Sequence, residues 1–124
     1  TVQRLCEYLN RLVKKDGQIR VSDIVSYINN NYVESITVKK LSEMFYISPV
    51  YLGRLFSAKM GTSLNSYVNS VRIRNAQTLL QTTDLKVYAI CNNVGYKSIK
   101  YFYKVFKDEV GMTPHEYRLI HGMR

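Results

Sequence analysis

The sequence predicts an all-α fold: two helix-turn-helix subdomains joined by a long linker helix. Three observations lead there. Apolar residues recur at three- and four-residue steps along nearly the whole chain, with no convincing strand-like alternation. Start and stop signals punctuate that pattern, with Ser or Thr before the first helical residue and Gly after the last. The chain also repeats itself at a period of about 50 residues.

About seven helices are expected after an N-terminal connector helix. In residues 2–13, Val2, Leu5, Cys6, Leu9, Leu12 and Val13 form one stripe, and Asp16-Gly17 ends it. This amphipathic segment, 1–17, reads as a connector from an upstream domain. Val21, Ile24, Val25, Ile28 and Tyr32 form the face of the next helix, which Asn29-Asn30-Asn31 weakens. Thr37 caps a short helix that buries Val38, Leu41 and Phe45. Ser48-Pro49 starts the following one, with Leu52, Leu55, Phe56 and Met60 inward and Gly61 as its stop. A long helix then opens near Ser63 and carries Leu64, Tyr67, Val68, Val71, Ala76, Leu79 and Leu80 to about residue 81. After the break at Thr82-Thr83-Asp84, a short helix runs through Val87, Ile90 and Val94 to Gly95. Ser98 caps the next, which buries Phe102, Val105, Phe106 and Val110 and stops at Gly111. Thr113-Pro114-His115-Glu116 is a capping box that opens the last helix.

The repeat defines the organisation. Leu52, Phe56, Gly61, Ser63 and Tyr67 match Phe102, Phe106, Gly111, Thr113 and Tyr117 at an offset of 50. Val38, Leu41, Phe45 and Ile47 match Val87, Ile90, Val94 and Tyr96 at 49, so the second copy has one extra residue in its turn. Each copy reads short helix, tight turn, capped longer helix, which is the pattern of a helix-turn-helix. The motifs are expected at about 38–60 and 87–110, with the linker helix at about 64–81. Those 18 linker residues would span roughly 27 Å. Successive major grooves on one face of B-DNA are roughly 34 Å apart. The helix plus the lateral offset of each motif would let one chain reach both.

Charge points to a polyanion. The chain has 124 residues, 18 Lys and Arg against nine Asp and Glu, and a net charge of +9. Residues 1–36 carry only +1 of that, and residues 37–124 carry +8. Nucleic acid is the first expected partner, and an acidic membrane surface the second. The longest apolar run is five residues, Val87 to Cys91, far short of the roughly 20 that span a bilayer. No leader pattern opens the chain, and Thr1 in place of Met is expected of a piece of a longer protein. Cys6 and Cys91 are 85 positions apart with no CxxC, as expected of free thiols in a reducing cytoplasm.

The residues Ser48-Pro49-Val50-Tyr51-Leu52-Gly53-Arg54-Leu55-Phe56, then Arg72-Ile73 with Ala76 and Leu79-Leu80, carry a resemblance. It continues through Ile90, Val94-Gly95-Tyr96, Tyr101-Phe102, Phe106-Lys107, Gly111-Met112-Thr113-Pro114 and Tyr117-Arg118. Over about 20–119 the chain resembles the homeodomain-like DNA-binding domain of the AraC/XylS family of bacterial transcription regulators. Cys91 departs from the Ala usual there. Gly53 stands where many members carry a larger side chain and so offers a base no side chain of its own.

The resemblance implies that early positions of each second helix face base edges. Removing the core residues leaves Val50, Gly53, Arg54 and Ser57 in the first copy. In the second it leaves Ile99, Lys100, Tyr103, Lys104 and Lys107. Arg54 leads, since a guanidinium bonds guanine O6 and N7 together; a phosphate contact or surface ion pair is its alternative. Val50 meets a thymine methyl or is partly buried. Lys100 and Lys104 reach bases or phosphates, and phosphate suits a flexible ammonium better. Lys39, Lys40, Lys59, Arg74, Lys86, Lys97 and Lys107 are placed to hold phosphates, each with an ordinary solvated cation as its alternative. Arg72 is expected to be structural and paired with a carboxylate.

Catalysis finds no support. His115 and His121 have no neighbouring Cys or carboxylate at metal spacing and read as solvated, so no metal and no cofactor are expected. No P-loop or dinucleotide fingerprint is present, nor the zinc-bound cysteine cluster of a DNA-repair alkyltransferase. The expected function is therefore sequence-specific binding of double-stranded DNA by two recognition helices in successive major grooves of a promoter site. The resemblance adds RNA polymerase, an upstream sensor or receiver domain, and dimerisation through that region. The competing reading is a helical protein-interaction module whose basic face takes an acidic partner.

Overall fold

The computed structural model describes residues 20–122. The expected connector helix, and Cys6 with it, lies outside the described residues. Seven helices and no strand occupy the described residues: α1 Val21–Asn31, α2 Val38–Phe45, α3 Pro49–Met60, α4 Leu64–Thr82, α5 Val87–Asn93, α6 Ile99–Val110 and α7 Pro114–His121. They divide into two compact units. The first comprises the described residues up to Asn31 and Ile36–Tyr67; the second comprises Tyr32–Ser35 and the chain from Val68 onward.

The first unit packs Ile24, Tyr27 and Ile28 of α1, Leu41 and Phe45 of α2, Leu52 and Phe56 of α3, and Leu64 into its core. Local bonds set where its helices begin. The Thr37 hydroxyl accepts from Lys40 N at 3.0 Å and the Ser48 hydroxyl from Tyr51 N at 3.1 Å, each satisfying an orphan helix donor. Ser63 does the same for Ser66 N at 3.1 Å and opens α4. The side-chain amides of Asn30 and Asn31 fold back onto Ser26 O and Tyr27 O at 2.9 Å in the last turn of α1, which ends just before Tyr32. Tyr67 stands edge-on to Phe56 and donates its hydroxyl proton to Asn29 Oδ1 at 3.0 Å. Met60 departs from expectation: it sits in the last turn of α3 and is 37% exposed.

The second unit is organised around Ile73, Ala76, Leu80, Val87, Ile90, Cys91, Val94, Tyr96, Phe102, Val105, Phe106 and Tyr117. Ser98 caps α6 through Tyr101 N at 3.1 Å. Thr113 and Glu116 close the capping box of α7 in both directions. The hydroxyl of Tyr117, counterpart of Tyr67, accepts from Gln81 Nε2.

The two turns share one construction. After α2, Ile47 N donates to Ser42 O at 3.1 Å; after α5, Tyr96 N donates to Cys91 O at 3.0 Å, the same bond 49 residues on. Each turn needs one left-handed residue: Tyr46 at φ 58° in the first and Gly95 at φ 104° in the second. The second turn is the longer. Beyond the expected insertion, Val94, the counterpart of Phe45, has already left the helix at φ −93°, ψ 2°.

Candidate nucleic-acid interface

A recognition helix needs a capped start, a buried face that fixes its roll, and an outer face free to meet a partner. In the first unit α3 has all three. Leu52 and Phe56 are fully buried and hold the inner face. Val50, Gly53, Arg54 and Ser57 fall together on the outer face, since they are spaced by three and four residues. Val50 is 62% exposed, which removes the alternative that it is core. Arg54 and Ser57 are exposed as well. Gly53 is half-buried by its neighbours, yet a Cβ added there would meet nothing within 4 Å. α3 contains no acidic residue, and Lys59 is exposed in its last turn. Lys39 and Lys40 project into solvent from the first turn of α2.

In the second unit Phe102, Val105 and Phe106 are buried and fix the roll of α6. Lys100, Lys104 and Lys107 then share its outer face, with Lys97 exposed in the preceding turn and Ile99 40% exposed at the start. Lys86 stands exposed at the N-terminal boundary of α5, where its side chain makes no cap bond, and Arg74 is exposed on α4.

Tyr103 is set apart from the other sequence candidates. Its ring is half-buried beside Phe102, stacks on His115 with centroids 6.1 Å apart, and its hydroxyl lies 2.9 Å from His115 Nε2. The hydroxyl is thus already engaged, and His115, expected to be solvated, is exposed but held against this ring.

Sequence reasoning missed what orients α6 within its unit. The Tyr96 hydroxyl donates to Asn69 Oδ1 at 2.7 Å, and Asn69 Nδ2 donates to the Tyr101 hydroxyl at 3.2 Å. Arg72 lies over the Tyr96 ring at 5.1 Å. Burial pushes the Tyr96 phenol well above its ordinary range, so the hydroxyl keeps its proton and remains a donor. Arg72 also corrects an expectation. Its guanidinium donates from Nε to Tyr32 O at 2.7 Å and from Nη2 to Glu34 O at 2.8 Å, so its hydrogen-bond acceptors are main-chain carbonyls rather than a carboxylate. Burial lowers its pKa from the ordinary guanidinium value, opposed by the electrostatics of Tyr96 and Tyr101. Arg118 works the same way at the end of α4, donating to Leu80 O at 3.3 Å and Thr83 O at 3.0 Å.

Tyr51 and Tyr101, both quoted in the resemblance but not as site candidates, are 55% and 42% exposed beside the outer faces of α3 and α6. The signal was available, for each stands three residues after its capping serine in both copies.

Among the described residues no cluster of His, Cys, Asp and Glu could hold a metal ion, and no helix is long and apolar enough to cross a membrane. The arrangement offers cations, hydroxyls and two apolar contacts, Val50 and Ile99, on two capped helices.

The family model described as a helix-turn-helix domain matches residues 41–119. The uncharacterized HTH-type transcriptional regulator YijO of Escherichia coli K12 is 36% identical over 95 residues, covering 77% of this chain and 34% of that protein. The C-terminal domain of AraT, a response regulator from Geobacillus stearothermophilus, superposes with a TM-score of 0.81 at 30% identity, covering 84% of this chain and 87% of that one. A transcriptional regulator from Chromobacterium violaceum, described among AraC-type DNA-binding domain-containing proteins, gives a TM-score of 0.73 at 26% identity, covering 82% and 90%. The chain spans about a third of the length of the curated relatives it matches.

Proposed function

This chain belongs to the AraC/XylS family of transcription regulators, and from that premise we propose that it is the sequence-specific DNA-binding part of a longer regulator, with α3 and α6 as its two recognition helices. The observation that carries this reading is the same device built twice. Each unit has a serine-capped helix whose core residues fix its roll and whose outer face is cationic or polar. The DNA-binding unit is taken as residues 20–119, with helix-turn-helix motifs at 38–60 and 87–110 and a connector at 1–17 leading from an upstream sensor or receiver domain.

In this reading Arg54 bonds a guanine, and Val50 and Ser57 meet neighbouring base edges. Lys100 and Lys104 bind at the second groove, chiefly through phosphates. Lys39, Lys40, Lys59, Arg74, Lys86, Lys97 and Lys107 supply the sequence-independent attraction. The protein acts in the cytoplasm without enzymatic activity. RNA polymerase and a second copy, joined through the upstream region, complete its partners.

The test is binding measured across salt on a duplex selected from random sequence and on its scrambled counterpart. Seven neutralised phosphates give log K a slope of about −6 against log salt. The selected duplex should be preferred by roughly a thousandfold. Equal affinity for scrambled DNA and heparin would instead mark a module with a basic face for an acidic protein.

A further inference from the structure

Gly53 lies in the middle of α3, where a glycine works against the helix. Glycines in helices usually have a local reason, and two reasons are excluded here. Its backbone is not in the left-handed region, so no conformation demands glycine. Among the described residues a Cβ built on it meets nothing within 4 Å, so no described neighbour demands it either. The fold of this chain would accept alanine, and by helix propensity would prefer it. The residues around Gly53 on the same face are Val50, 62% exposed, and the exposed Arg54 and Ser57. Val50 and Ser57, three residues before and four after, flank the bare backbone of Gly53 and leave a shallow notch between an isopropyl group and a hydroxyl, with Arg54 one residue further round the helix.

We infer that Gly53 determines sequence specificity by its missing side chain: the notch lets the α3 backbone come close to a base edge and takes the 5-methyl group of a thymine between Val50 and Ser57. This rests on the proposed role of α3 as a recognition helix. The chemistry suits a methyl group better than a polar base edge. Val50 supplies apolar contact beside the bare backbone, and the Gly53 N–H is already committed within the helix. Arg54, one residue on, is placed to bond an adjacent guanine.

The experiment uses the selected duplex and its scrambled counterpart, with Gly53→Ala as the variant, because alanine is the smallest change and favours the helix. The melting temperature of free Gly53→Ala should rise by a few degrees. Its affinity for the selected duplex should fall about tenfold or more, and its affinity for scrambled DNA should stay unchanged. A scan replacing each thymine by uracil removes one methyl at a time. It should reveal one position at which wild-type affinity falls by about fourfold, the worth of one buried methyl. That position should have no effect on Gly53→Ala, whose added methyl already occupies the notch. Two results overturn the inference while leaving DNA recognition intact: Gly53→Ala binding the selected duplex as tightly as wild type, or no uracil substitution distinguishing the two proteins. If the wild type fails to prefer selected over scrambled duplex, the reading of α3 as a recognition helix falls, and this inference falls with it.

Discussion

The two turns place opposite demands on equivalent positions, so substitutions at Tyr46 and Gly95 should change stability in opposite directions. At Gly95 the backbone is left-handed, φ 104°, and an added Cβ would lie 2.8 Å from Val33 O, 2.9 Å from Val33 Cα and 3.0 Å from Tyr32 O. These are main-chain atoms, which cannot swing aside as a side-chain tip can. Gly95→Ala therefore incurs about 1–2 kcal/mol for the left-handed residue and about 1–3 kcal/mol for overpacking. Stiffening the unfolded chain returns about 0.4–1 kcal/mol. The net expectation is a loss of about 2–4 kcal/mol. Tyr46 sits at φ 58° with its ring 82% exposed, so replacing it sacrifices little burial. Tyr46→Gly should relieve about 1–2 kcal/mol of backbone strain and return about 0.5–1 kcal/mol to unfolded-state entropy. The net is a gain of about 0.5 kcal/mol. Urea unfolding with unchanged m values reads both as shifts in midpoint. A Gly95→Ala midpoint equal to wild type would refute the close approach of Tyr32 and Val33. A Tyr46→Gly loss above about 1 kcal/mol would show that the exposed ring carries more packing than its exposure implies.

Cys91 is buried, its thiol donates to Tyr96 O at 3.6 Å, and burial raises its pKa. A thiol probe should therefore modify it slowly in the native state, even in mildly alkaline buffer, and quickly in urea; rapid native modification would displace α5 from the core. Glu116 accepts from Thr113 N at 2.9 Å, and that bond, with the Thr113 hydroxyl bond next, lowers its pKa below 4.5. The cap's contribution is then complete above that value and is lost as pH falls through the lower folded-state midpoint. A carboxyl titration by NMR should show that lower midpoint with the Thr113 amide moving alongside, and an ordinary midpoint would deny the bond in solution. Arg54→Ala should weaken selected DNA by roughly 1–3 kcal/mol and relax preference at one base pair. Lys104→Ala should weaken all sequences alike and reduce the salt slope by about one. The two effects should add, since the residues share no partner; a uniform loss from Arg54→Ala would reassign it to phosphate.

Much of the fold was legible because its controlling interactions are local. Thr37, Ser48, Ser63, Ser98 and Thr113 each bond a backbone N–H three residues ahead, so the cap is written in adjacent letters. Interactions across long sequence separations were not legible. Arg72 bonds carbonyls of Tyr32 and Glu34, and every residue has a carbonyl, so no side-chain type betrays the acceptor. The Tyr96, Asn69 and Tyr101 chain unites ordinary polar residues that mean something only once α4, α5 and α6 are packed. Ile73 escaped because α4 serves two units and buries more than one narrow stripe, so it falls off the simple period. Subtracting the core leaves Val50, Arg54, Lys100 and Lys104, and all four are exposed. Tyr103 is half-buried instead, its apolar ring and polar tip suiting either side of that boundary.

The central claim, that one chain carries two working recognition helices, is tested most directly by footprinting the selected duplex with groove-resolved chemical probes. The account predicts protection of two successive major grooves on one face of the DNA. Arg54→Ala should weaken protection in one groove and Lys104→Ala in the other. Protection of a single groove, with Lys104→Ala changing neither affinity nor salt slope, would contradict it and leave α6 as a scaffold or a surface for another protein.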